Sequence, residues 1–132
     1  MEFVGTYGEY PVKTVLLIMQ DAAMTDQDKQ IKGLTGSKID KQGTTTIVLP
    51  RRFDISVRQA FSGSYKHIMT PEMRYVVDLA ETEFIDIFAL GMLLLLRDHA
   101  IRNKGSVVIA NCNTAVREFL EIVKFDLLFE IP

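Results

Sequence analysis

The chain has 132 residues, 48% of them hydrophobic, with 15 Lys and Arg against 17 Asp and Glu for a net charge of −2. That length holds one domain with room for an appendage, and that apolar content builds a core, which excludes a disordered chain. The near-balanced charge excludes a protein whose main task is to coat nucleic acid or an anionic membrane, and a single cysteine, Cys112, excludes an internal disulfide or a multi-cysteine zinc site.

From Met1 to about Gly36 the pattern is mixed. Val12, Val15, Leu16, Met19 and Ala23 fall at helical spacing, and Pro11 suits the first turn of a helix. Thr14 to Met19 is also short, partly β-branched and apolar, as a strand would be, so both readings stand. The polar run Thr25 to Gln30 reads as a solvated helix or loop. Glu2 and Glu9 precede the apolar cluster Val15 to Met19, which is not the positive start a secretory signal needs. The turn-rich stretch Gly33 to Ser37 marks a joint. Residues 1–36 are therefore expected to form an N-terminal extension, and residues 37–132 the domain proper.

Beyond the joint the pattern sharpens. A short strand is allowed at Ser37 to Lys41, and Thr44 to Leu49 is a β-branched, apolar strand ended by Pro50. Asp54 is a candidate N-cap for a helix carrying Val57, Ala60, Phe61, Tyr65 and Ile68 on one face, weakened at Gly63. Tyr75 to Leu79 is a buried strand, followed by a loop over Ala80 to Ile85. A helix from Ala89 to about Arg102 is apolar all round in its first half, as buried helices are. Its apolar run, Ile87 to Leu96, is far short of the ~20 residues a membrane span needs. Gly105 stops this helix behind a cationic last turn. Val107 to Ala110 is another strand, Asn113 caps a helix bearing Val116, Phe119, Leu120 and Val123, and Leu127 to Ile131 reads as a last strand. Alternation of this kind predicts an α/β fold: a mixed sheet of four to five strands with helices packed on it.

Enzyme signatures are scarce. No nucleophile elbow, phosphate-binding loop or zinc-protease motif occurs, and the turn after Leu79 lacks the glycines of a dinucleotide site. No cofactor or metal is expected. Cys112 precedes a helix start, but no histidine is close to it in sequence. Glu81, Glu83 and Asp86 could form a carboxylate site, although acids at a helix N-terminus are explained by its partial positive charge. His67 and His99 read as surface residues, and Arg51 and Arg52 as a loop pair able to meet an acidic partner. What stands out is Ile87 and Phe88, large apolar residues at the junction of a loop and a helix, where exposure marks a contact surface.

Several segments in order resemble a STAS domain, the fold of anti-sigma factor antagonists. They are Tyr75-Val76-Val77-Asp78-Leu79, then Phe84-Ile85-Asp86, then Ala89-Leu90-Gly91-Met92-Leu93-Leu94. Thr45 to Leu49 leading through Phe53 to Asp54, Val107 to Val116 with Phe119-Leu120, and Phe125 to Ile131 extend the likeness over Ser37 to Pro132. The resemblance implies a STAS-like binding module rather than an enzyme, one that engages an anti-sigma factor or serine-kinase-type regulator in bacterial partner switching. It also implies a switch in which the kinase phosphorylates a serine or threonine at the helix start. Where the family commonly reads Asp-Ser-Ser-Gly/Ala-Leu-Gly, this chain reads Asp86-Ile87-Phe88-Ala89-Leu90-Gly91. Phe88 holds the usual phosphorylated position and, like Ile87, has no hydroxyl. Phosphorylation is therefore not expected there; Thr82, Ser56, Ser62 and Ser64 are the hydroxyls left to consider nearby.

The expected partner-binding residues are Arg51, Arg52, Asp54, Glu83, Asp86, Ile87, Phe88, Ala89 and Leu90, with Ile87 and Phe88 as apolar anchors and Asp86 ordering the loop through backbone N–H groups. A cytoplasmic protein follows, with a homodimer allowed and neither nucleic acid nor membrane as partner. The family's final C-terminal helix is expected to be missing, with the N-terminal residues covering its place. The competing readings are a STAS subunit of a larger assembly, such as a lipid-transport complex or stress-signalling scaffold, a small-ligand or nucleotide sensor, and an enzyme built on Glu81, Glu83 and Asp86.

Overall fold

The computed structural model describes residues 43–132 throughout and, before them, the backbone of residues 6–7, 10–11 and 35–39. Strands β1 (Thr6–Tyr7) and β2 (Tyr10–Pro11) pair antiparallel, so Pro11 itself lies in a strand. The readings of residues 12–23 and 25–30 fall outside the described residues. Strand β3 (Thr35–Ile39) begins inside the turn-rich stretch and pairs antiparallel with β4 (Thr44–Val48), with a register shift between Thr35 and Lys38.

The main sheet has the order β3-β4-β6-β8, where β6 is Arg74–Asp78 and β8 is Ser106–Ala110. Between β4 and β6 come β5 (Arg52–Phe53) and α1 (Arg58–Tyr65), and between β6 and β8 come β7 (Phe84–Ile85) and α2 (Ile87–Arg102); α3 (Thr114–Ile122) follows β8. β4, β6 and β8 are mutually parallel, which together with antiparallel β3 makes the sheet mixed, as the alternation predicted. Both crossovers step the same way along the sheet, and right-handed connections of that kind place α1 and α2 on one face. Register agrees. Thr45, Tyr75 and Val107 stand side by side, as do Ile47, Val77 and Ile109, and all are buried beneath the helices.

The all-round apolar helix behaves as its composition demands: Ala89, Leu93, Leu94 and Leu96 are fully buried. Asp98 on its polar half is buried too, and one carboxylate oxygen meets Arg102 at 2.8 Å, one turn on. His99 corrects the expectation of a surface histidine. It is half-buried, with Nε2 2.7 Å from the Ile68 carbonyl oxygen and its ring edge-on to Tyr65 and Tyr75. Burial drives the Tyr65 phenol far above its usual range, with the charge of Asp98 adding to it.

The expected last strand is also corrected. Phe125–Leu127 forms a 3-10 turn, Phe129 N–H donates to the Phe125 carbonyl, and the two rings stack at 5.2 Å in the core. Only Glu130 joins the sheet, by a single parallel bridge to Val108. Two arginines hold this tail by hydrogen bonds to its carbonyls, Arg97 to Leu128 and Arg117 to Ile131.

Two glycines differ in cost. Gly63 in α1 is exposed, and a Cβ there would meet nothing within 4 Å. Gly63→Ala is therefore expected to stabilise the fold by about 0.5–1 kcal/mol, read as a higher urea midpoint with unchanged slope. At Gly105 a Cβ would lie 2.3 Å from the Met73 carbonyl oxygen.

Candidate functional site

The C-terminal ends of β4 and β6 feed two connections, residues 49–57 and 79–86, and these are fastened to each other. β5 and β7 pair in parallel, Arg52 beside Phe84 and Phe53 beside Ile85. Glu83 and Phe84 N–H both donate to the Arg51 carbonyl, at 2.9 and 3.0 Å. Thr82 is 1% exposed and its hydroxyl donates to the Pro50 carbonyl at 2.9 Å, while Asn113 donates to the Thr82 carbonyl from the other side. Below it, one Asp78 oxygen accepts from Ala80 N–H and from the side chain of Asn111. The stretch expected to be a plain loop is thus a preformed shelf containing a short strand.

Two helical starts meet on this shelf, each with an aspartate cap: a 3-10 turn at Ile55–Val57, which leads into α1 with Val57 as that helix's own uncapped N-terminal residue, and α2. Asp54 accepts from the N–H and the hydroxyl of Ser56, and from Arg52 Nε at 3.3 Å. Asp86 accepts from Ala89 N–H at 3.0 Å and caps α2. Their titrations diverge. Burial works against the Asp54 charge, but the hydrogen bonds from Ser56 and then Arg52 outweigh it and hold the carboxyl below its usual range. At Asp86 burial dominates and raises the pKa; the Ala89 N–H opposes it, and the nearby charge of Asp54 adds to the rise.

The sign follows for stability. Asp54 contributes stability above pH 3.8 that is lost as pH falls through its lowered pKa. Asp86 carries a cost when ionised, which is relieved as pH falls through its raised pKa. Asparagine caps as well as aspartate. Asp86→Asn is therefore expected to be more stable than the parent at pH 7, with the difference closing as pH falls towards 3.8. Urea melts of both proteins across that range check it, and a less stable variant at pH 7 would contradict the assignment.

Of the expected contact residues, the structure brings seven together. Arg51, Arg52 and Glu83 are exposed, with Arg51 and Glu83 joined in an ion pair at the rim. Asp54, Asp86, Ile87 and Phe88 are half-buried, and Phe88 packs partly against the core. Ala89 and Leu90 are corrections. Both are on the inner side of α2, at 0% and 2% exposure, and cannot touch a partner. Thr82 is likewise too buried to be modified in the folded chain, and Ser64 is buried with its hydroxyl donating to the Phe61 carbonyl. The residue missing from the expected set is Phe84. It is 40% exposed, and the Arg52 guanidinium sits 4.3 Å over its ring. Its signal in the sequence was alternation: Ile85 packs inward against the core, so its neighbour on a strand faces out.

The assembled surface is Phe84 under Arg52, with Ile87 and Phe88 beside it and charged residues around the rim. Among the described residues no three His, Cys, Asp or Glu side chains converge as metal ligands would, Glu81, Glu83 and Asp86 included. A groove of about 260 Å³ lies along the second half of α2, between Arg97, Ile101, Ser106, Val107 and Leu128, and includes none of the shelf residues. Among the described residues no helix is long and apolar enough to cross a membrane.

A family model described as "Mlab, STAS domain" matches residues 38–130. A STAS-domain containing protein of Pseudomonas aeruginosa is 44% identical over 86 residues, which is 65% of this chain and 85% of that protein. Among solved structures, an anti-sigma-factor antagonist (STAS) domain protein from Planctomyces limnophilus superposes with a TM-score of 0.63 at 15% identity, covering 78% of this chain and 91% of the other. The Bacillus cell fate determinant SpoIIAA in its phosphorylated form gives a TM-score of 0.54 at 12% identity, covering 76% and 91%. These structural likenesses concern the fold.

Proposed function

The chain belongs to the STAS domain family, and from that premise we propose that it is a non-enzymatic protein-binding module of the anti-sigma factor antagonist type. In this reading residues 37–132 are the working domain and residues 1–36 an extension. The domain acts in bacterial partner switching in the cytoplasm, and its partner is an anti-sigma factor or a serine-kinase-type regulator. The observation that carries the proposal is the shelf itself. An exposed aromatic residue, Phe84, stands beside half-buried Ile87 and Phe88 on a loop already fixed by hydrogen bonds, which is the make-up of an interface core rather than of a reaction site.

The mechanism follows from the residues present. In a switch of the usual kind, a phosphoryl group at the helix start adds about −1.5 to −2 charge to a closely packed contact and breaks it. Ile87 and Phe88 have no hydroxyl to accept it, and Thr82 is buried. The contact is therefore constitutive at this position: apolar side chains replace a chemical switch, and occupancy follows the concentrations of the two proteins. The same substitution favours one second reading, a permanent subunit of a larger assembly such as a lipid-transport complex.

Affinity capture from the source cell with the full chain as bait, followed by mass spectrometry, separates the two. Recovery of an anti-sigma factor or kinase-like regulator in stoichiometric amount is the expected result. Recovery of a transport complex would establish the second reading, and loss of neither partner on mutation of the shelf would overturn the interface.

A further inference from the structure

We draw no further inference here: the strongest candidate, the second face of the sheet, where Thr46, Val48, Val76, Val108 and Ala110 form a largely apolar band on the side away from the helices, carries nothing because nothing in the described structure shows what covers it.

Discussion

Phe84→Ala is expected to weaken partner binding by about tenfold or more, roughly 1.4 kcal/mol, the loss typical of truncating an aromatic anchor. Stability should barely change. Phe84 lies outside the core and is 40% exposed, and substitutions at such places usually stay within about 0.5 kcal/mol. The thermal midpoint should therefore hold within about 2 °C while affinity falls. Binding can be followed by calorimetry with the captured partner, and folding by circular dichroism of the same sample. The neighbouring Phe88→Asp should abolish binding too, but Phe88 packs partly against the core, so a charge there also costs stability. Phe84 is the cleaner probe for that reason. Equal affinity of Phe84→Ala and the parent would remove the shelf from the interface.

Gly105→Ala should have the largest effect on folding. The added Cβ would lie 2.3 Å from the Met73 carbonyl oxygen and 3.3 Å from the Met73 carbonyl carbon and nitrogen, all backbone atoms. No side-chain rotation relieves such a contact. That same carbonyl accepts from Ser106 N–H at 3.0 Å, and Gly105 N–H donates to the Ala100 carbonyl at 2.7 Å. Glu72 N–H also donates to the Asn103 carbonyl at 2.9 Å, so the turn from α2 into β8 and the residues leading into β6 are held against each other on both sides of the close approach. Forcing them apart should cost about 3 kcal/mol, the upper part of the range for overpacking, and lower the thermal midpoint by roughly 10 °C. A midpoint within about 2 °C of the parent would show that the turn can shift without loss. Gly63→Ala, at the open position in α1, is the matched control with the opposite sign.

The architecture was readable because strands and helices here have distinct periods. Thr44 to Val48 and Ser106 to Ala110 are β-branched and apolar in short runs, and α2 is apolar on every side, so their types and order followed. Gly105 was legible as a helix stop, but the approach of Met73 that forbids a side chain comes from a residue 32 positions earlier and leaves no local trace. The tail misled because Leu127 to Ile131 is apolar enough for a strand. The core contact there is Phe125 on Phe129, a spacing of one helical turn that competes with the strand pattern. His99 misled for a related reason: a charged helix half looks solvated until another helix lays Tyr65 against it.

At the site, the junction of loop and helix was visible as an apolar break in a polar stretch. Its depth was not. Ala89 and Leu90 were indistinguishable in sequence from their outward neighbours, because an all-apolar helix gives no sign of which side meets solvent. Phe84 was hidden inside a pairing of only two residues per strand, whose partner, Arg52, lies on the other connection.

The fastening of residues 79–86 to Pro50 and Arg51 has a kinetic consequence. A surface that need not order itself on encounter loses no productive collisions to refolding, so capture should proceed at the ordinary rate for rigid proteins, about 10⁵–10⁷ M⁻¹s⁻¹. With the forward rate set by collision and orientation, discrimination among partners falls to how long each complex survives. A cell using this chain would tune residence times.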